Sequence, residues 1–179
     1  MNDYGKIVEG VRERNAQKQL MFYDLFIRRV FRSAYTIVGN ESEAEEIAQD
    51  TMLKVFDRTD LLHDDFPDME RILRRIASNA AIDVVRRRKD FIIAVEKIPD
   101  LEDSEDSETE DDSEHYSLEE IREAVTALSD GYRNILSLRL FEEMSFNEIA
   151  GLLSMNYSTV RVQYTRGIKK LQELLIKKE

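Results

Sequence analysis

Fifteen residues decide how this chain can be built. Positions 100–114 read DLEDSEDSETEDDSE, ten acids with no base. Such a stretch repels itself and has almost nothing apolar to bury, so it is expected to stay an extended, flexible tether. Fully stretched, it spans at most about 50 Å. One packed core cannot run through it. The chain is therefore expected to hold two small domains, 1–96 and 117–179, with 97–116 as the linker between them.

The same tract accounts for the charge. The formal net charge is −11, and without those ten acids the remainder stands at −1. Within the remainder, residues 71–89 carry seven bases against Asp83 alone. Residues 157–178 carry six bases against Glu173 alone. Two basic stripes thus flank an acidic tract. The local field, rather than the sum, decides whether a surface can meet phosphate.

Both flanking parts read as helices, so the fold class is all-α. Six Gly and two Pro in 179 residues leave little turn chemistry for a β fold. Tyr23, Phe26, Val30, Ala34 and Ile37 recur at steps of three or four, up to Gly39. Asn40, with Glu43 three residues on, is a helix start. Ala44, Ile47, Ala48, Thr51, Met52 and Val55 give the next stripe. After a polar loop, Met69, Ile72, Leu73, Ile76, Ala77, Ala80 and Val84 give a third. Beyond the tract, Ser117 is placed to cap a helix, and a second helix is expected over about 132–141. There is no cysteine, which excludes disulfides and thiolate metal sites and suits a reducing cytoplasm. The apolar run 91–95 is far too short to span a bilayer. The first thirty residues mix charged and apolar side chains, so no signal peptide and no membrane insertion are expected.

Residues 145–170 read as helix, tight turn, helix. Ser145 and Glu148 form a capping-box pattern ahead of Ile149, Leu152 and Leu153. The turn falls at 154–156, and Asn156 is placed to cap a long final helix that buries Val160, Tyr164, Ile168, Leu171 and Leu175. The other face of that helix shows Ser158, Thr159, Arg161, Gln163, Arg166, Lys169 and Lys170. It suits a recognition helix, with Arg161 placed for guanine, Gln163 for adenine and the later bases for phosphate. A plain helical hairpin with a solvated basic face would carry the same residues.

The segments ALSDGYRNILSLRLFEEMSFNEIAGLLSMNYSTVRVQYTRGIKKLQELL (127–175), YTIVGNESEAEEIAQDTMLKVF (35–56) and ILRRIASNAAIDVVRRRK (72–89) occur in this order around the acidic spacer. Together they resemble regions 2 and 4 of the sigma-70 family, in its minimal extracytoplasmic-function group. Ile72 stands where that family usually has Trp, Glu46 replaces an Asp, and Ser154 replaces a common turn glycine. Val162 and Gln163 replace more polar or basic residues.

The resemblance implies a role for each segment. Glu45, Glu46, Gln49, Asp50 and Thr51 would dock on core RNA polymerase. Arg74, Arg75, Asn79, Arg86, Arg87 and Arg88 would contact promoter DNA at the downstream (−10) element. The loop over 61–68, with His63 and Phe66, would take up a base flipped from the non-template strand, although its Asp60, Asp64, Asp65 and Asp68 sit awkwardly beside DNA. An exposed loop histidine is the plainer reading of His63. The final helix would read the upstream (−35) element. The linker would either thread a basic path on the polymerase or act as a solvated tether. An anti-sigma factor, often membrane-tethered in this family, is the expected regulator. A stand-alone helix-turn-helix regulator is the alternative reading. No catalytic, metal or cofactor site is expected, since only His63 and His115 occur and no metal or phosphate-loop motif is present.

Overall fold

The computed structural model describes residues 3–88 and 116–176. The acidic tract 100–114, the run 91–95 and His115 lie outside the described residues. The chain divides into two compact units, Met1–Val84 and Val85–Glu179. Among the described residues there are helices and no strands.

The first part holds α1 (Asp3–Arg12), α2 (Ala16–Val38), α3 (Glu41–Asp57), a short 3-10 turn (Thr59–Leu61) and α4 (Phe66–Arg87). Local chemistry sets most of these ends. Asn15 accepts from the Lys18 N–H at the start of α2, and Asn40 accepts from the Glu43 N–H at the start of α3. Between them Gly39 adopts the left-handed conformation, φ 67°, that ends α2 without a Cβ clash. Phe26, Val30, Ala34 and Ile37 are buried on α2, as their spacing predicts, but Phe22 rather than Tyr23 completes the buried stripe, and Tyr23 is half-buried. The third stripe is rotated from expectation. Met69, Leu73, Ala77, Ala81, Ile82 and Val85 are buried, whereas Ile72, Ile76, Ala80 and Val84 lie half-buried on its flank. α1 is not anticipated by the sequence reading. Its Ile7, Val8 and Val11 are buried, and Gly10 lies so close to the Lys18 stem that a Cβ there would overlap Lys18 Cγ.

The second part holds α5 (Leu118–Thr126), α6 (Asp130–Leu136), α7 (Phe146–Leu153) and α8 (Tyr157–Ile176). Both expected capping serines form full capping boxes, Ser117 with Glu120 and Ser145 with Glu148. The helix expected over 132–141 begins earlier, at Asp130, and changes character at Ser137. From Ser137–Phe141 it widens into a π-type turn, closed by the Glu142 N–H donating to the Ser137 carbonyl. Ser137, Leu138 and Phe141 are all buried there. Arg133 is buried too. It donates to the Thr126 and Leu128 carbonyls and pairs with Asp130, the multiple partnering a buried charge needs. α8 crosses α6 closely at Gly167, where an added Cβ would lie 3.2 Å from Leu136 Cδ1 and 3.4 Å from Tyr132 Cδ1. No helix among the described residues is long and apolar enough to cross a membrane.

Candidate functional site

Three surfaces gather the residues singled out by the sequence. The first is on α3. Glu45, Glu46, Gln49 and Asp50 are exposed, because the opposite arc of the helix, Ala44, Ile47, Ala48, Met52 and Val55, is spent on the core. Among the described residues no ion pair engages Glu45, Glu46 or Asp50. Thr51 does not join them. It is 2% exposed, so its hydroxyl belongs to the core face and the docking role expected for it is corrected. Leu53 lies beside the exposed polar residues. It follows Gln49 by four positions and Asp50 by three, on the same face, and is 59% exposed. An acidic, amide-bearing surface with one large apolar anchor results.

The second surface is α4 and the loop before it. Arg71, Arg75, Asn79, Asp83 and Arg87 form one exposed row at steps of four. Arg74, Arg86 and Arg88 lie half-buried beside it. Arg74 is tied to Glu70 at 3.8 Å, and Glu70 also meets Arg29 Nε at 3.1 Å.

Phe66 departs from expectation. Its ring stacks on Phe26 at 4.8 Å, meets the edge of Tyr4 at 5.4 Å and lies under the Arg29 guanidinium at 5.5 Å. Packed on several sides, Phe66 anchors the start of α4 and does not present a stacking face to a base. His63 is exposed, with Nδ1 3.6 Å from Asp68 Oδ2, and its backbone N–H is directed to Met69 Sδ at 3.3 Å.

The loop's acidity is largely answered from within. Asp60 pairs with Arg58 at 2.7 Å, and that hydrogen bond holds its carboxyl below the usual range. Asp64 pairs with Arg12 at 2.8 Å, and Asp68 with Arg71 at 2.5 Å. Asp65 caps α4 by accepting from the Asp68 N–H at 3.1 Å.

The third surface is on α8. α7 ends at Ser154, which takes the left-handed conformation, φ 55° and ψ 42°. The Ser154 N–H donates to Gly151 and the Met155 N–H to Ala150, a Schellman-type closure. α8 starts two residues later. Phe146 sets its phase from α7 by meeting Tyr157 at 6.3 Å and Tyr164 at 5.1 Å, while Arg139 lies over the Phe146 ring at 5.0 Å.

Ser158, Lys169 and Lys170 are exposed, and Thr159, Arg161 and Arg166 are half-buried. The Lys170 ammonium sits 5.6 Å from the Tyr132 ring. Gln163 is 1% exposed, three residues after buried Val160 and four before buried Gly167. It faces the interior, so its expected contact with adenine is corrected. Val162 and exposed Thr165 occupy the outward face instead, between Arg161 and Arg166. The steps 158, 162, 165, 169 mark that face and could have identified both residues from the sequence.

Two family models match the chain. Sigma-70 region 2 covers residues 22–91, and Sigma-70, region 4 covers 118–171. α1 lies outside both. The ECF RNA polymerase sigma factor SigE of Mycolicibacterium smegmatis is 30% identical over 153 residues, 83% of this chain and 58% of that protein. The ECF RNA polymerase sigma factor SigW of Bacillus subtilis is 27% identical over 168 residues, 85% of this chain and 86% of that protein. The chain thus spans little more than half of the first relative and most of the second. Among solved structures, CnrH in complex with the cytosolic domain of CnrY matches with a TM-score of 0.53 at 18% identity, over 99% of this chain and 100% of that one. The sigma factor RpoE of Bartonella quintana, solved with the anti-sigma factor NepR, matches with a TM-score of 0.51 at 20% identity, over 87% and 94%. At these identities the two structures speak to the fold.

Proposed function

We propose that this chain, which belongs to the sigma-70 family of RNA polymerase sigma factors in its extracytoplasmic-function group, binds core RNA polymerase and directs it to promoters for transcription initiation. The observation that carries this reading is the pair of outward basic helical faces, on α4 and α8, each inside a matched region. Arginine and lysine on such faces meet phosphate, and side chains between them reach base edges. The chain performs no chemistry of its own. RNA synthesis belongs to the polymerase that it positions.

On α3, Glu45, Glu46, Gln49 and Asp50 provide polar complementarity to the polymerase, and exposed Leu53 provides the apolar area to bury. α4 lies along the downstream element through Arg71, Arg75, Asn79 and Arg87, flanked by Arg74, Arg86 and Arg88. The 61–68 loop takes up an unstacked base of the melted strand, with His63 at its rim. α8 reads the upstream element through Ser158, Thr159, Arg161, Val162, Thr165 and Arg166, with Lys169 and Lys170 on phosphate. An anti-sigma factor that covers these surfaces is the regulator, and the working place is the cytoplasm.

The test is transcription from a panel of promoters by purified core polymerase, with and without the chain. Arg161→Ala is expected to weaken one promoter position selectively. Lys169→Ala is expected to weaken all sequences alike and to lower the salt slope by about one. A chain that fails to associate with core polymerase at low salt, in the absence of any inhibitor, ends this reading.

A further inference from the structure

α1 falls outside the span matched to region 2, so that match gives it no task. Yet its two ends reach across the sequence to one target. The Tyr4 hydroxyl donates to the His63 carbonyl at 3.0 Å. Arg12 Nη1 donates to Asp64 Oδ1 at 2.8 Å, and Arg12 Nη2 to the Leu62 carbonyl at 3.3 Å. The Tyr4 ring also sets its edge on Phe66, the first residue of α4. Tyr4 and Arg12 stand about 12 Å apart along the helix axis, so they grip the loop at separated points. Burial, then the charges of Asp64 and Asp65, push the Tyr4 phenol above its ordinary value.

We propose that α1 is the positioning element of the promoter-opening loop: Tyr4 and Arg12 fix residues 62–64 in one conformation and neutralise Asp64, so that the loop can receive an unstacked base. The proposal rests on the reading of 61–68 as the base-receiving loop. A loop ordered in advance does not have to be ordered when the base enters. The charge argument is separate. Asp60 and Asp68 are answered by bases close in sequence, Arg58 and Arg71. Asp64 is answered by α1. Without Arg12, its carboxylate would face a polyanion.

The test uses the full chain assembled with core polymerase. Open-complex formation is measured on a duplex promoter, on the same promoter with a pre-melted bubble, and with each non-template base of the downstream element replaced in turn. Arg12→Ala and Tyr4→Phe are each expected to slow opening of the duplex by about three- to tenfold. The loss on the bubble should be smaller, base preference should flatten at one position, and association with core should be unchanged. Asp64→Asn placed on Arg12→Ala is expected to recover part of the loss, which a purely structural defect would not allow. Arg12→Lys keeps the charge and covers the case in which Arg12→Ala fails to fold. His63→Ala is the reference for the loop itself. If His63→Ala alters base preference while Tyr4→Phe and the Arg12 variants do not, the positioning role is overturned and the loop reading survives. If His63→Ala leaves base preference intact as well, both fall.

Discussion

Gln163 offers a direct contest between a pairing rule and a burial. It lies in the middle of α8, is 1% exposed, and its Nε2 finds no hydrogen-bond partner among the described residues. A buried donor left unpaired costs about 1–3 kcal/mol. Methionine has nearly the same length and helix propensity and brings no donor. Gln163→Met is therefore expected to stabilise the chain by about 1–2 kcal/mol. For a unit of this size, each kcal/mol raises the melting temperature by about 4–8 °C. Thermal unfolding of the full chain, followed by far-ultraviolet circular dichroism, reads that change. The same variant is then scored with core polymerase on promoters altered one base pair at a time across the upstream element. Unchanged base preference is expected. If Gln163 instead read adenine, the variant would lose about 1–3 kcal/mol of discrimination at one position. That loss, or a lower melting temperature, would refute the burial argument.

Three further outcomes follow from single residues. Ser154 holds a left-handed conformation at the end of α7. Its strain of about 1–2 kcal/mol exceeds the extra chain entropy that glycine brings, so Ser154→Gly should raise the unfolding free energy by about 0.5–1 kcal/mol, read as a higher urea midpoint at constant slope. Leu53 is 59% exposed in the free chain, so Leu53→Asp should leave folding intact. The proposed docking on core polymerase would bury it, which is worth about 1.5–3 kcal/mol, so affinity should fall tenfold or more in a competition assay. The Tyr4 phenol is raised from an ordinary 10.0, first by burial and then by Asp64 and Asp65. Above about pH 10 the unfolded chain loses this proton while the folded chain keeps it, so stability falls as pH rises. Tyr4→Phe should flatten that fall between about pH 9 and 11 in denaturant midpoints.

What the sequence disclosed was local. The ends of α2 and α3 were legible because Gly39, Asn40 and Glu43 act within one turn of the backbone they terminate. The α7–turn–α8 unit was legible for the same reason, through the Ser145 and Glu148 box. α1 was not. It is ten residues long with Gly5 and Gly10 inside it, and its place depends on partners roughly fifty residues away, Leu62, His63 and Asp64. Gln163 was misread for a different reason. Its polarity suggested a surface, yet its helical phase lies with buried Val160 and Gly167, whereas the spacing of Thr51 already placed it on the buried stripe and only the family resemblance assigned it to docking. Phase outranks polarity when a helix has a wide buried arc. Phe66 was misread because aromatic partners from α1 and α2 cannot be seen from its own segment.

The charges of the first unit are sorted by element, and that sorting argues for how the whole chain meets DNA. At the loop and the start of α4, acids and bases pair with one another: Asp60 with Arg58, Asp64 with Arg12, Asp68 with Arg71, and Glu70 with Arg29 and Arg74. Toward the end of α4 the sequence itself turns basic, with Arg86, Arg87 and Arg88 following Asp83. On α3, Glu45, Glu46 and Asp50 stand exposed beside Leu53. The anionic face with its apolar residue and the basic row thus lie on different helices, α3 and α4. A chain of net charge −11 gains little long-range attraction to DNA, so its short basic rows act only once they are delivered to the duplex. Binding of the free chain to promoter duplex should then be weak and steeply salt-dependent, and under the proposed docking of α3 on core polymerase the same duplex should be bound tightly once the polymerase is added, which a filter-binding titration across salt concentrations reads.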